Sequence, residues 1–189
     1  MVSLRVMLVF CGALIICNAN SNCPKIKTRS KWGGKTAISI EYQNIPVQYV
    51  IIHHTVTSKC GTFATCSQQV ANIQHYHMHD LGWSDIGLNF LIGNDGNVYE
   101  GAGWNKVGAH TLGYNRKSIG IAFIGDFSDE LPSEKALQAA KSLLACGVSN
   151  GYLARNYRLL GARQVISTES PGLELYGEIQ DWDNWVPKP

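Results

Sequence analysis

The most informative stretch of the chain is Gln48-Tyr49-Val50-Ile51-Ile52-His53-His54-Thr55. Its apolar and β-branched run is bounded by Pro46 and Thr57, which predicts a short buried strand. Successive side chains of a strand point to opposite faces, so His53 and His54 are expected on opposite sides of it. Only a local bend would let both imidazoles serve one pocket.

The segments around this strand alternate between strand and helix patterns. Asp95-Gly96 between two apolar runs predicts a tight hairpin, and Pro132-Ser133-Glu134 has the form of a helix start. We predict strands at 48–54, 88–92, 98–100, 118–126 and 157–162, and helices at 65–81, 132–150 and 171–181. This alternation predicts an α/β fold, a single domain with a central mixed β-sheet flanked by about three helices.

The N-terminus has the pattern of a secretory signal, with Arg5 before the apolar run Val6 to Cys17 and a polar stretch after Ala19. The run is too short for a stable membrane span, although a retained N-terminal anchor is the alternative interpretation. We therefore expect residues 1–19 to be removed and residues 20–189 to form one domain.

The charge balance argues against a nucleic-acid partner. Without Arg5, the chain carries 15 basic and 14 acidic side chains, a net charge of +1. Proteins that bind DNA or RNA usually concentrate basic residues on one face. No nucleic acid and no membrane span are therefore expected among the partners.

Four cysteines remain after removal of the signal: Cys23, Cys60, Cys66 and Cys146. An even set in an exported chain indicates disulfides, and four cysteines allow three pairings. Cys60 and Cys66 flank a five-residue loop, so their pairing is the easiest to reach. A metal site built on these two cysteines is disfavoured, because no cysteine or histidine pair stands nearby.

Three histidines, His75, His77 and His79, lie on one predicted helix. His75 and His79 share a face, and His77 lies roughly opposite. Imidazoles at i and i+4 supply only two ligands, so a metal site is not expected here.

Short motifs follow one another through the mature chain in a fixed order. They include residues 29–34, 51–55, 89–96, 98–101, 108–111, 113–115, 120–125 and 170–172. By these motifs, from about Cys23 to Trp185, the chain resembles the peptidoglycan recognition protein family, and most of all its short secreted insect members of the SA type. The resemblance implies the amidase-like fold of that family and of the related bacteriophage amidase-type lysozymes. It also supports the Cys60–Cys66 pairing and implies a Cys23–Cys146 disulfide.

The resemblance also indicates which catalytic groups are missing. Enzymes of the family bind zinc through the first His of H-H-T and through the His and Cys of G-H-R-x-x-x-x-T-x-C-P-G, and they use the Tyr of D-I-G-Y. This chain keeps His53 but has Ala162, Ser170 and Leu88 at the other positions. A catalytic zinc needs about three protein ligands, and a leucine can neither stabilise an oxyanion nor transfer a proton. We therefore expect no metal, no cofactor and no amidase activity.

The family's groove maps onto a defined set of residues in this chain. The resemblance implies ligand-binding roles for His53, His54, Thr55, His77, Gly82, Trp83, Leu88, Ala102, His110, Asn115 and Ser170. Members that select diaminopimelate at the third stem residue tend to have Gly-Trp before D-I-G and an Arg in G-R-G-W. Here Gly82-Trp83 matches and Ala102 does not, so the two markers conflict. Trp104 could stack on a sugar or fill the core.

These expectations describe a secreted, non-catalytic pattern-recognition receptor. It would bind the muramyl stem peptide of bacterial peptidoglycan and trigger an extracellular protease cascade of innate immunity. The alternatives are a metal-free peptidase that uses Ser170 with His53 as base, a zinc-dependent N-acetylmuramoyl-L-alanine amidase, or an extracellular structural domain.

Overall fold

The computed structural model describes residues 23–189, and the signal segment predicted at residues 1–19 lies outside them. The strands are β1 (Ile26–Lys27), β2 (Val47–His54), β3 (Phe90–Ile92), β4 (Val98–Glu100), β5 (Ser118–Phe123) and β6 (Leu153–Gly161). The helices are α1 (Arg29–Trp32), α2 (Phe63–His75), α3 (Glu134–Ser149) and α4 (Leu173–Ile179). Between residues 23 and 189, no helix is both long and apolar enough to cross a membrane.

The strands form one sheet in the order β1-β4-β3-β5-β2-β6. The strand that contains His53 and His54, β2, is an interior strand, parallel to β5 on one side and to the edge strand β6 on the other. β3 and β4 are antiparallel and joined by a turn in which Gly96 has φ +79°. The predicted α/β fold with a central mixed sheet is confirmed, with four helices in place of about three.

The alternation of side chains along β2 separates two faces of the sheet. Val50 and Ile52 are buried in the main core, which also contains the apolar faces of α3 and α4. Ile51 packs on the opposite face with Leu160 and Ala162. A further apolar cluster joins α2 to the hairpin, for example through Val70 and Tyr99. His53 therefore follows the face of Ile51, and His54 follows that of Ile52.

The domain contains one local and one long-range disulfide among the described residues. Cys60 is bonded to Cys66 immediately before and within α2, and Cys23 is bonded to Cys146 on α3. Both predicted pairings are confirmed. The Cys60–Cys66 bond lies in the apolar cluster beneath α2. The Cys23–Cys146 bond holds Cys23 against the other face of the sheet.

Several element boundaries differ from those predicted. The capping box of α2 is formed by Thr62 and Thr65, so the helix begins at Phe63 and not at the predicted residue 65. After His75 the helix widens into a π-helical turn, Tyr76–Asp80. β6 begins earlier than predicted, because Leu153 already pairs with Val47, and α4 is shorter than predicted. The short elements β1 and α1 were not predicted from the sequence.

Candidate ligand-binding groove

A cavity of about 420 Å³ lies between α2 and the carboxyl end of β2, within the size range of sites for small ligands. We call it the first cavity. It is lined by His53, His54, Thr55, Thr57, Gln69, Asn72, Ile73, Tyr76, His77, Trp83, Leu88, Ala109, His110 and Ala122.

A hydroxyl group links two buried imidazoles at the base of the first cavity. Thr111 Oγ1 lies 3.1 Å from His53 Nε2 and 2.9 Å from His110 Nδ1. The two rings meet edge to face with their centroids 5.5 Å apart. Burial, assisted by the neighbouring His54, lowers the pKa of His53 to about 4, and burial holds the pKa of His110 well below its ordinary value. Both rings are therefore neutral at neutral pH, and the Thr111 hydroxyl, which has one donor and two acceptor positions, can hydrogen-bond to both of them.

The position of His110 is fixed by residues that lie outside the first cavity. Asn115 Oδ1 accepts hydrogen bonds from the backbone N–H groups of His110 and Thr111, at 3.0 and 2.7 Å. The imidazole lies against the backbone at Gly120, where a Cβ atom would overlap the ring. His110 Nε2 is buried and has no hydrogen-bond partner among the described residues. Asn115 therefore orients His110 from outside the first cavity.

His54 faces the other side of β2, as the strand alternation predicts, although one edge of it reaches the first cavity. Its Nδ1 accepts a hydrogen bond from the backbone N–H of Phe127 at 3.2 Å. Burial lowers the pKa of His54, and the nearby Asp126 carboxylate opposes that shift. Ser170 lies next to it, and its Oγ accepts a hydrogen bond from the His54 backbone N–H at 3.0 Å.

His77 forms the far wall of the first cavity with Trp83. Its Nδ1 accepts a hydrogen bond from Gly87 N–H at 3.0 Å, which places the proton of the neutral ring on Nε2. The two rings are tilted against each other at 4.6 Å, and burial lowers the pKa of His77. His75 and His79 stack on each other at the exposed side of the helix. The structure therefore separates the three histidines as the sequence predicts.

The residues at the family's zinc positions do not fit a zinc ion. Ala162 is fully buried among apolar side chains, and the Ser170 hydroxyl is already bonded to the backbone of β2. His53 directs its Nε2 at Thr111, and Leu88 presents only an apolar side chain to the cavity. Between residues 23 and 189, no group of three or more His, Cys, Asp or Glu side chains could hold a metal. A Ser170–His53 pair is likewise not formed, because each group is hydrogen-bonded elsewhere.

Two further cavities continue the groove beyond the first one. The second cavity, of about 350 Å³, is lined by Ser39, Glu41, Gly82, Trp83, Ser84, Asp85, Ile86, Val107, Gly108 and Ala109. The third cavity, of about 440 Å³, is lined by Glu41, Val107, Gly108, Leu112, Gly113, Asn115 and Arg116. The predicted ligand-binding residues Gly82 and Asn115 thus lie in the second and third cavities.

Ala102 and Ser170 are predicted groove residues that the structure does not place on the groove surface. The exposed fraction of Ala102 is 5 %, and its N–H donates to the carbonyl of Leu88. Ser170 is 7 % exposed, and its hydroxyl accepts a hydrogen bond from the backbone N–H of His54 in β2. Neither residue lines one of the three cavities, so a ligand contact at either position stays a prediction. Trp104 packs against Phe90 and Tyr152, so of the two roles considered for it the core role applies.

Sequence reasoning missed the wall that α2 contributes. Gln69, Asn72, Ile73 and Tyr76 line the first cavity from one face of the helix. Their spacing of about three to four residues was visible in the sequence, but it is equally typical of a face packed on a core. Thr111 was also missed as a link between imidazoles, since no local pattern predicts a contact to His53.

An ion pair supports the second cavity from beneath and was also not predicted. Arg29 donates to both carboxylate oxygens of Asp85, at 2.6 and 2.7 Å, and to the carbonyl of Gly101. Gln74 of α2 donates to the same carboxylate. The short helix α1 thereby fixes the loop that carries Trp83.

Comparison with known proteins identifies the chain's relatives. The family model described as N-acetylmuramoyl-L-alanine amidase matches residues 43–173. Peptidoglycan-recognition protein SA of Drosophila melanogaster is 56% identical over 169 residues, which cover 89% of this chain and 83% of that protein. The solved structure of Drosophila PGRP-SA matches with a TM-score of 0.87 and 56% identity, covering 88% of this chain and 96% of that one. A crystal structure of peptidoglycan recognition protein LE in complex with tracheal cytotoxin, a monomeric diaminopimelic acid-type peptidoglycan, matches with a TM-score of 0.84 and 46% identity, covering 85% of this chain and 95% of that one. The chain therefore belongs to the peptidoglycan recognition protein family.

Proposed function

We propose that the groove binds the muramyl stem peptide of bacterial peptidoglycan and does not cleave it. The first cavity carries this proposal, because it combines the His77–Trp83 aromatic wall with the buried imidazoles of His53 and His110. Peptide ligands offer amide and carboxylate groups that such a mixed surface can bind. A relative of this chain is described in complex with a monomeric peptidoglycan, which supports the same ligand class here.

The proposed lack of catalysis rests on the groups at the family's zinc positions. Ala162 offers only a buried methyl group, and the Ser170 hydroxyl and the His53 imidazole are already hydrogen-bonded. These three residues therefore do not form a ligand set that could hold a metal and activate a water molecule. Leu88 lacks the hydroxyl that would stabilise a developing oxyanion. We therefore infer a receptor that retained the fold and the groove of an amidase.

We further propose that the mature protein is secreted and passes its signal to an extracellular protease cascade. The two disulfides fit an oxidising compartment, and the N-terminal segment has the pattern of a signal peptide. A polymeric ligand can array many receptors, so clustering gives a signal that a single weak contact cannot give. Adding protein with polymeric peptidoglycan to cell-free plasma should raise proteolytic activity, whereas either component alone should not.

Co-sedimentation with insoluble peptidoglycan tests the binding proposal. The purified protein should pellet with lysine-type peptidoglycan, with diaminopimelate-type peptidoglycan, or with both, and the pelleted polymer should release no free stem peptide. Binding to neither polymer would overturn the proposal, and release of stem peptide would overturn the inferred lack of catalysis.

A matched pair of histidine variants locates the site. His77→Ala removes a wall of the first cavity, whereas His75→Ala removes an exposed imidazole two residues away on the same helical segment. We expect at least about tenfold weaker binding for the first variant, because a buried polar contact and an aromatic contact are lost together. The second variant should bind like the wild type. Equal effects would place the ligand outside this groove.

A further inference from the structure

The three cavities lie next to one another, because neighbouring ones share lining residues, and we call them together the trough. Trp83 and Ala109 belong to both the first and the second cavity. Glu41, Val107 and Gly108 belong to both the second and the third. Residues 107–109 therefore lie between the first and third cavities, which is where a ligand longer than the first cavity would pass.

The floor of this trough is held on both sides by backbone hydrogen bonds. Val107 N–H donates to the carbonyl of Glu41 at 2.9 Å, and Ala109 N–H donates to the carbonyl of Gly87 at 2.8 Å. Asn115 fixes the next turn through the N–H groups of His110 and Thr111. The path between the cavities is therefore preformed, so a long ligand loses little affinity to ordering of the protein.

The third cavity presents charges of both signs beside an apolar side chain. Arg116 Nε donates to Glu41 Oε1 at 2.6 Å, and the two side chains are 79% and 52% exposed. An exposed ion pair of this kind adds little stability, so each partner can exchange the other for a ligand group at small cost. Leu112 is 89% exposed at the same cavity and has no role in the core.

We propose that the third cavity binds a second peptide branch of the same polymer, the one attached through the cross-link to the stem peptide in the first cavity. An ammonium group of that branch would pair with Glu41, its carboxylate with Arg116, and its aliphatic side chains would cover Leu112. Neutral glycan hydroxyls could hydrogen-bond to Glu41 and Arg116 but carry no charge to pair with either, so the two opposite charges favour a charged peptide over a sugar. This inference rests on the proposed function, since it extends the ligand of the first cavity.

Calorimetric titration with two soluble muropeptides tests the inference. One is a monomer with a single stem peptide, and the other is a cross-linked dimer with two. Because the dimer offers two stem peptides to the first cavity, its apparent affinity has a statistical advantage of about twofold. An added site of modest strength should raise the affinity further, so we expect the wild type to bind the dimer at least about fivefold more tightly than the monomer. A ratio near two would overturn the inference.

Variants distinguish this outcome from failure of the proposed function. Arg116→Gln should reduce the dimer-to-monomer ratio towards two while monomer affinity stays at the wild-type value, because Arg116 lines the third cavity and neither of the other two. Arg155→Gln is the matched control, because Arg155 is an exposed arginine at a cavity formed by α3 and the C-terminal segment. Absence of monomer binding in the wild type would reject the proposed function itself. Normal monomer binding with an unchanged ratio in Arg116→Gln would reject only the third cavity.

Discussion

At the scale of single residues, the groove depends on two residues that do not line the first cavity, Gly120 and Thr111. Gly120 on β5 has no side chain, and the ring of His110 occupies the space where one would be. Thr111 joins that ring to His53, although the two histidines are far apart in the sequence. The orientation of the groove imidazoles is therefore set by a missing Cβ atom and one hydroxyl group.

Gly120→Ala should displace the His110 ring and weaken peptidoglycan binding by about tenfold or more, since Thr111 is hydrogen-bonded to that ring and, through the same hydroxyl, to His53. The free energy of unfolding should also fall by about 1–3 kcal/mol, because the site is overpacked. Titration calorimetry and denaturant unfolding measure the two effects. Gly177→Ala is the control, because a Cβ atom there meets nothing within 4 Å. Unchanged binding by Gly120→Ala would contradict the role given to His110.

The depressed pKa of His53 predicts how stability depends on pH. The unfolded chain takes up a proton near pH 6.5, whereas folded His53 takes it up only near pH 4, so the unfolded state binds more protons between these values. Stability should therefore be constant above about pH 7 and fall as the pH drops from 6.5 to 4, with His53 contributing about 3 kcal/mol. His54, His77 and His110, whose pKa values are also lowered, act in the same direction.

Chemical denaturation across this pH range measures the effect. His53→Gln should give a flatter dependence on pH, even if the variant is less stable at pH 7. A wild-type stability that rises on acidification through this range would show that His53 is not buried as a neutral ring.

Metal analysis tests the zinc positions. The purified protein should contain no stoichiometric zinc after dialysis, because Ala162 and Ser170 stand where a His and a Cys are needed. The double substitution Ala162→His and Ser170→Cys should restore zinc binding, but not full amidase activity while Leu88 remains. About one tightly held zinc per wild-type chain would overturn this account.

At the scale of elements, α2 and the turn that follows it build one wall of the groove. The helix begins at a reciprocal cap, in which Thr62 Oγ1 accepts from Thr65 N–H and Thr65 Oγ1 accepts from Thr62 N–H. The Cys60–Cys66 bond anchors the same turn. At the other end, the π-helical turn brings His77 to the cavity while His75 and His79 stay exposed.

Thr62→Ala should lower the free energy of unfolding by about 0.5–2 kcal/mol, because the first turn of α2 loses its side-chain acceptor. Denaturant unfolding measures the change. Thr62→Asn, which keeps an acceptor at this position, should lose much less. Equal losses in both variants would mean that the hydroxyl acts through something other than the cap.

At the scale of the whole molecule, a covalent bond connects the start of the described chain to the face of the sheet opposite the groove. Cys23 and Cys146 are separated by 123 residues, whereas Cys60 and Cys66 are separated by 6. In the chain-entropy model the stabilisation by a disulfide grows with the length of the loop that it closes. The long-range bond therefore constrains the unfolded chain far more than the local one.

Replacing Cys23 and Cys146 by Ser should lower the free energy of unfolding by about 2–5 kcal/mol and leave monomeric muropeptide affinity unchanged. The bond lies on the side of α3, away from the first cavity, so it contributes to stability and not to the groove. Denaturation and calorimetry check both parts. A large loss of affinity at a temperature where the variant is folded would show that the two faces are coupled.

The sequence alone determined the parts of this protein that depend on local patterns. The apolar run of β2, the Asp95-Gly96 hairpin, the apolar face of α3 and the short Cys60–Cys66 loop were all predicted correctly, because each is encoded within a few neighbouring residues. The motif order gave the family, and the strand alternation placed His53 and His54 on different faces.

Only the tertiary structure decided what depends on contacts between distant segments. It placed Ala102 beneath the groove surface, Trp104 in the core, and Thr111 between His53 and His110. It also joined the cavity of Trp83 to that of Arg116 through residues 107–109. Such contacts arise from how loops pack on a completed sheet, and packing is set by the three-dimensional fit of many side chains rather than by any spacing along the chain.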